Sequence, residues 1–164
     1  MKEVILTHDQ ITHILRRMAF QILESNANET ELTIAGIDGS GYLLAQKIAA
    51  ELEKVSDIQL QVIKVSLNKK TPKAEEISLD HQKPLSDKSV VLVDDVLNSG
   101  ATLMNGCLPF LKQGVRKLKT AVLVNRNHKR YPVKADFKGI SLSTSTQTHI
   151  EVTLDDGAYS AYLQ

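Results

Sequence analysis

The stretch that most constrains this chain is Ser89-Val90-Val91-Leu92-Val93. It is an unbroken, β-branched apolar run that stops at Asp94-Asp95 and leads into Asn98-Ser99-Gly100-Ala101-Thr102. A run without polar alternation reads as a strand buried on both faces, and such strands belong to parallel sheets covered by helices. Leu32 to Ile37 repeats the pattern and breaks into Asp38-Gly39-Ser40-Gly41, while Ile58 to Leu67 and Leu118 to Val124 supply further strands. Between them lie helical patterns. Thr7 to Glu24 places Ile11, Ile14, Leu15, Met18, Ala19, Ile22 and Leu23 on one stripe, with Thr7 and Gln10 spaced as a capping box. Leu44, Ala45, Ile48 and Leu52 mark a second helix. Gly100 to Gln113 marks a third, stopped by Gly114 and expected to kink at Pro109. Strands alternating with helices imply a mainly parallel α/β sheet with helices on both faces, whose ligands sit beyond the strands' carboxyl ends.

With 164 residues, 42% hydrophobic and 24% charged, the chain reads as one globular domain over 1–164. Folding at this length buries roughly 70% of the unfolded surface, enough for a core without staples. Cys107 is the single cysteine, so no internal disulfide forms; its place on an apolar helix side marks it as core. No apolar run is long enough to span a membrane, and the start lacks the order of a secretory signal, so a cytoplasmic location is expected. Twenty basic residues against nineteen acidic give a formal net charge of +1, which argues against non-specific nucleic-acid binding. Asn68 to Lys88, polar and carrying Pro72 and Pro84, is too long for an ordinary connection and reads as a lid or binding loop.

The chemistry concentrates after the Val90–Val93 run. A helix start presents unpaired N–H donors and a positive dipole end to a phosphate. Ser99 and Thr102 add hydroxyls, and Gly100 lets the backbone approach closely. Acids beside such a cradle suit a sugar phosphate, whose ribose hydroxyls donate to carboxylates. Two other readings stay open: acids that only end the strand and cap the helix, or a magnesium site of the phospho-acceptor type. Neither accounts for the glycine and hydroxyl residues that follow at once. Gly36 to Gly41 spells G-x-x-G-x-G, which does not match the dinucleotide fingerprint.

Val91-Leu92-Val93-Asp94-Asp95-Val96-Leu97-Asn98-Ser99-Gly100-Ala101-Thr102 resembles the phosphoribosyl pyrophosphate signature of type I phosphoribosyltransferases, and the likeness extends over nearly the whole chain. Within that family it most resembles the bifunctional pyrimidine operon attenuation regulators with uracil phosphoribosyltransferase activity. Ile5-Leu6, Gly36 with Gly41 and Leu44-Ala45, Leu123-Val124 before Arg126 and His128, Pro132, Ala135-Asp136 and Gly139 carry that part of the likeness.

The resemblance implies a Rossmann-like five-stranded parallel core with a small hood built partly from the chain's end, 125–164 holding the last core strand and the hood or base-side segment. It implies transfer of the phosphoribosyl group of phosphoribosyl pyrophosphate to a nucleobase, uracil favoured, with magnesium held mainly through the substrate. Pyrophosphate and a nucleoside monophosphate are the products, in nucleotide salvage by a homodimer. By the same resemblance Asp94 and Asp95 are the catalytic pair on the ribose hydroxyls, and Leu97, Asn98, Ser99, Gly100, Ala101 and Thr102 hold the 5′-phosphate. Asp38, Gly39, Ser40 and Gly41 form the pyrophosphate loop. Lys69, Lys70 and Lys73 belong to a mobile loop over Asn68 to Gln82, and Leu142, Ser143 and Thr144, in a segment reaching Thr146, face the base.

Relatives in the regulator group tend to carry basic residues in the pyrophosphate loop, where this chain has Asp38 and Ser40. Charge-assisted phosphate contacts are worth about 1.5–3 kcal/mol each, so nucleoside monophosphates are expected to bind more readily than the pyrophosphate donor. The mobile segment has lysines and no arginine, giving charge without a bidentate fork. The runner-up reading is a nucleotide-sensing regulator that binds RNA with little or no turnover. Its candidates are Arg126, His128, Lys129 and Arg130 with Arg16 and Arg17, although short charge runs usually face water. Phe20 stands where that reading expects a polar or basic residue. Tyr131 and Phe137 suit either a base pocket or a hood core.

Overall fold

The computed structural model describes residues 2–71, 73, 76–81, 83–145 and 147–164. The chain runs β1 (Glu3–Leu6), α1 (His8–Ser25), β2 (Glu31–Ile37), α2 (Ser40–Val55), β3 (Gln59–Ser66), β4 (Ser78–Leu79) and β5 (Ser89–Leu97). It continues through α3 (Ala101–Lys112), β6 (Lys117–Arg126), β7 (Phe137–Leu142), β8 (Ile150–Thr153) and β9 (Ser160–Leu163). The main sheet has the order β4-β3-β2-β5-β6-β7. Five of its strands are parallel, and β4 is added antiparallel at the edge. A second sheet, β1-β9-β8, is antiparallel.

The helices form for the reasons the sequence carries. Thr7 caps α1 with a complete capping box, its side chain accepting from the Gln10 N–H while the Gln10 side chain accepts from the Thr7 N–H. The α1 stripe is buried as expected, with Leu23 only half-buried. α3 continues through Pro109 to Lys112. Strand β5 extends to Leu97, beyond the apolar run, because its ladder with β6 continues through Asp94↔Val122, Val96↔Val124 and Leu97↔Asn125. Backbone pairing, not hydrophobicity, sets that end.

Two apolar clusters lie on opposite faces of the sheet. One joins α1 and α2 to the sheet and reaches Leu6, Ile150, Val152, Leu154 and Ala161 of the small-sheet region. The other packs Leu103, Cys107 and Phe110 of α3 on Leu92 and Val122. Cys107 is buried, and burial pushes its thiol up to about 11, so it behaves as a small hydrophobe. The small sheet therefore shares a core with the α1 side. It also draws its first strand, β1, from the chain's start, so the chain's end supplies it only in part. Strands β1, β4 and β9, two to four residues each, are too short for alternation to reveal them.

Adjacent strands β2 and β5 send their helices to opposite faces, α2 with the first cluster and α3 with the second. Their carboxyl ends are thus a topological switch point, where open α/β sheets form their ligand crevice.

Candidate functional site

Two turns flank that crevice, and both open a helix on a glycine that carries no side-chain cap: Gly39 before α2 and Gly100 before α3. α1, which starts elsewhere, is fully capped. The contrast leaves the orphan N–H groups of the two crevice helices without a partner on their N-cap residue, Ser99 taking only the Ala101 N–H of α3.

The turn after β5 encloses a hollow of about 50 Å³ lined by Asp94, Leu97, Asn98, Ser99, Gly100 and Thr102. Gly100 adopts φ +89°, and a Cβ there would sit 2.6 Å from Val133 Cγ1, so the turn's shape depends on glycine. Ser99 Oγ accepts from the Ala101 N–H at 3.2 Å, while the Ser99 carbonyl accepts from the N–H groups of Arg130 and Tyr131. The hollow is open at the size of a phosphate group.

Asp94 lines the hollow, and Asp95 follows it along β5. Asp94 is buried, 4% exposed, and accepts from the Asp95 N–H at 2.9 Å; Asp95 accepts from the Val96 N–H at 2.8 Å. Lys69 Nζ stands 3.3 Å from Asp94 Oδ1 and 4.0 Å from Asp95 Oδ1. Burial, reinforced by the neighbouring Asp95 charge, raises the Asp94 carboxyl to about 7 despite Lys69. For Lys69, burial works against its charge, but attraction to Asp94 and Asp95 prevails and raises its pKa. The start of α2 presses directly on this group: a Cβ on Gly41 would lie 2.9 Å from Asp94 Oδ1 and 3.0 Å from the Val93 carbonyl.

Other anticipated residues are placed less centrally. Asp38 caps its own turn by accepting from the Gly39 N–H at 2.9 Å and lies 3.9 Å from Lys64 Nζ. Ser40 Oγ donates to the Val152 carbonyl of the small sheet at 3.4 Å. The Lys70 N–H binds the Asn68 side chain, and Lys73 pairs with Glu76 within its own loop, so Lys69 alone of the three lysines touches the acids. Leu142 ends β7, Ser143 Oγ accepts from Asn127, and Thr144 faces Arg126 and His128. Pro72, Ala74, Glu75 and Gln82 of the expected closing loop, and Thr146 of the expected base-side segment, lie outside the described residues.

Of the basic cluster, Lys129 and Arg130 are exposed, and Arg126 is the member that is corrected. Arg126 is 5% exposed and does not belong to a solvated or RNA-facing patch. Its Nε donates to Thr144 Oγ1 at 2.9 Å, one terminal nitrogen donates to Asn98 Oδ1 at 2.9 Å, and the other donates to the Ser145 carbonyl at 2.8 Å and Thr148 Oγ1 at 3.3 Å. Arg17 is likewise spent on the Lys138 and Gly139 carbonyls of β7. Phe137 is core, whereas Tyr131 is 46% exposed.

Lys64 was missed altogether. The signal was present in the register, because the parallel pairing sets Lys64 beside Gly36 and hence next to the turn that follows β2. Its ammonium also lies over the Tyr42 ring at 4.8 Å.

A doubly wound sheet with uncapped helix starts at its switch point, a phosphate-sized hollow and paired acids define a type I phosphoribosyltransferase. The chain belongs to that family: the phosphoribosyl transferase domain model matches residues 2–156. Among curated proteins it is similar to the bifunctional protein PyrR of Bacillus subtilis, at 32% identity over 94% of this chain and 91% of that one. Its fold is that of solved hypoxanthine phosphoribosyltransferases. The Trypanosoma cruzi enzyme matches with TM-score 0.78 at 14% identity, covering 97% of this chain and 95% of that one. The Bacillus anthracis hypoxanthine-guanine enzyme matches with TM-score 0.71 at 18% identity over 86% and 82%.

Proposed function

We propose that the protein transfers the 5-phosphoribosyl group of phosphoribosyl pyrophosphate to a nucleobase, with uracil the favoured acceptor, in nucleotide salvage. The observation that carries this reading is the 50 Å³ hollow at the uncapped start of α3, with Asp94 on its rim. The 5′-phosphate enters the hollow and meets N–H donors and the hydroxyls of Ser99 and Thr102. Asp94 and Asp95 accept from the ribose hydroxyls, which fixes the sugar and offsets positive charge developing at its anomeric carbon. The base nitrogen attacks that carbon as the bond to pyrophosphate breaks, the electron pair leaves with the pyrophosphate oxygen, and the nitrogen's proton passes to solvent or to the departing pyrophosphate.

The turn of Asp38, Gly39, Ser40 and Gly41 faces the leaving pyrophosphate, and the loop that carries Lys69 closes over the donor and excludes water. Leu142, Ser143 and Thr144 present the base side. By the likeness to the family, magnesium is carried mainly by the oxygens of the donor. When bound, magnesium supplies charge neutralisation on the leaving pyrophosphate. The favoured acceptor and a homodimer rest on the likeness to the attenuation regulators, and a cytoplasmic location on the sequence expectation stated above.

Asp38 at the pyrophosphate side leads us to expect nucleoside monophosphates to bind more tightly than the donor. Calorimetry in which the magnesium-bound donor binds far more tightly than any monophosphate rejects that ordering. Pyrophosphate release assayed with uracil, hypoxanthine, guanine, xanthine and adenine tests the reaction: release with one base supports it. Silence with all five, alongside monophosphate binding, selects the second reading, a nucleotide-sensing RNA regulator. That reading draws on the word bifunctional in the relatives' name. It is weakened by Arg126, which is engaged inside the protein, and by Arg17, which is exposed but bonded to two β7 carbonyls.

A further inference from the structure

Arg126 poses a physical problem that its four hydrogen bonds only partly solve. A guanidinium that is 5% exposed has lost its hydration, and burying a cation costs several kcal/mol unless an opposite charge faces it. Its partners are all neutral: Asn98, Thr144, Ser145 and Thr148. Among the described residues no carboxylate lies within ion-pair distance of it. The hollow beside Asn98 is the adjacent place where an anion fits. The partners also come from two different parts of the site. Asn98 is in the turn that lines the hollow, whereas Thr144, Ser145 and Thr148 follow β7 on the base side. The same guanidinium lines a wider cleft with Asn98, Ser99, His128 and Thr148.

We propose that Arg126 is a positioning residue that couples the two halves of the site, so that filling the phosphate hollow orders the base-side segment and the reverse. This rests on the function proposed above and adds to it the residue through which phosphate and base are sensed together. A phosphate dianion in the hollow lowers the energy of the buried guanidinium. The planar fork then holds Asn98 on one side and Thr144 and Ser145 on the other in a single geometry. Reciprocity of linkage requires that a change at either end alter affinity at the other.

The test uses ribose 5-phosphate, which has no base, and the KM for the nucleobase, which has no phosphate. Thr144→Val removes one acceptor at the base end and should weaken ribose 5-phosphate binding at least threefold by calorimetry. Asn98→Ala removes the acceptor at the phosphate end and should raise the nucleobase KM at saturating donor, with a smaller change in kcat. In an Arg126→Lys background, which keeps the charge but lacks the fork, both cross-effects should vanish. A ribose 5-phosphate affinity unmoved by Thr144→Val overturns the proposal, as do cross-effects that persist with lysine. Wild-type protein that fails to bind ribose 5-phosphate at all rejects the phosphate hollow itself, a result separable from the loss of coupling.

Discussion

Replacing Asp94 with asparagine should stabilise the free protein at neutral and alkaline pH while removing a group the substrate needs. Asp94 is 4% exposed, and burial with the adjacent Asp95 charge lifts its carboxyl from 3.8 to about 7. The groups facing it are Asp95, Lys69 and the Gly41 backbone at the start of α2. A carboxyl raised in the folded state binds its proton there at pH values where the unfolded chain has already released it. The native form therefore binds more protons between about pH 4 and pH 7, and stability falls as pH climbs through that window. At 1.36 kcal/mol per tenfold change in proton affinity, the penalty is about 1.5 kcal/mol at pH 5 and about 4 kcal/mol at pH 8.

Asparagine does not titrate, so the variant escapes this penalty but gives up the ion pair with Lys69. The informative quantity is the stability gap between variant and wild type, which should widen in the variant's favour by about 2–3 kcal/mol from pH 5 to pH 8. Titrations elsewhere in the molecule are common to both proteins and cancel. Urea denaturation at fixed, low ionic strength measures the gap, since guanidinium salt would screen the charges. A gap that stays constant, or that narrows with rising pH, refutes the claim that Asp94 is held as a strained buried acid.

Gly100→Ala should lower ribose 5-phosphate affinity at least tenfold. A left-handed alanine costs about 1–2 kcal/mol and its Cβ meets Val133 Cγ1 at 2.6 Å, so the turn must move; calorimetry at unchanged far-UV circular dichroism checks it. Lys69→Met removes the cation beside Asp94 and Asp95, which raises the Asp94 pKa further. The acid limb of the pH–rate profile should move to higher pH, and an unmoved limb counts against an ionised Asp94 in the reaction. Lys64→Met should raise the KM for phosphoribosyl pyrophosphate, while Asp38→Asn should lower it, because the pair sits at the turn expected to face the pyrophosphate. Monophosphate affinity serves as the control for both, since the hollow that takes its phosphate is lined by neither residue.

The parallel α/β class, the buried strands and the α1 stripe were legible in the sequence because each is a local pattern. A β-branched run is buried on both faces wherever it sits, and Thr7 with Gln10 caps a helix regardless of what surrounds it. The acids and the Ser99-Gly100 turn were legible for the same reason, since strand end, turn and helix start are contiguous. What the chain could not disclose were relations between segments far apart along it. Arg126 looked like part of a surface run with His128, Lys129 and Arg130, and only the pairing of β6 with β5 and β7 buries it between Asn98 and Thr144. Lys64 drew no notice until register set it beside the turn after β2, and Lys69 met Asp94 only through folding of its loop. Hydrophobic patterning is written residue by residue. The company a charge keeps, and with it the cost of burying that charge, depends on three-dimensional neighbours that no local pattern encodes.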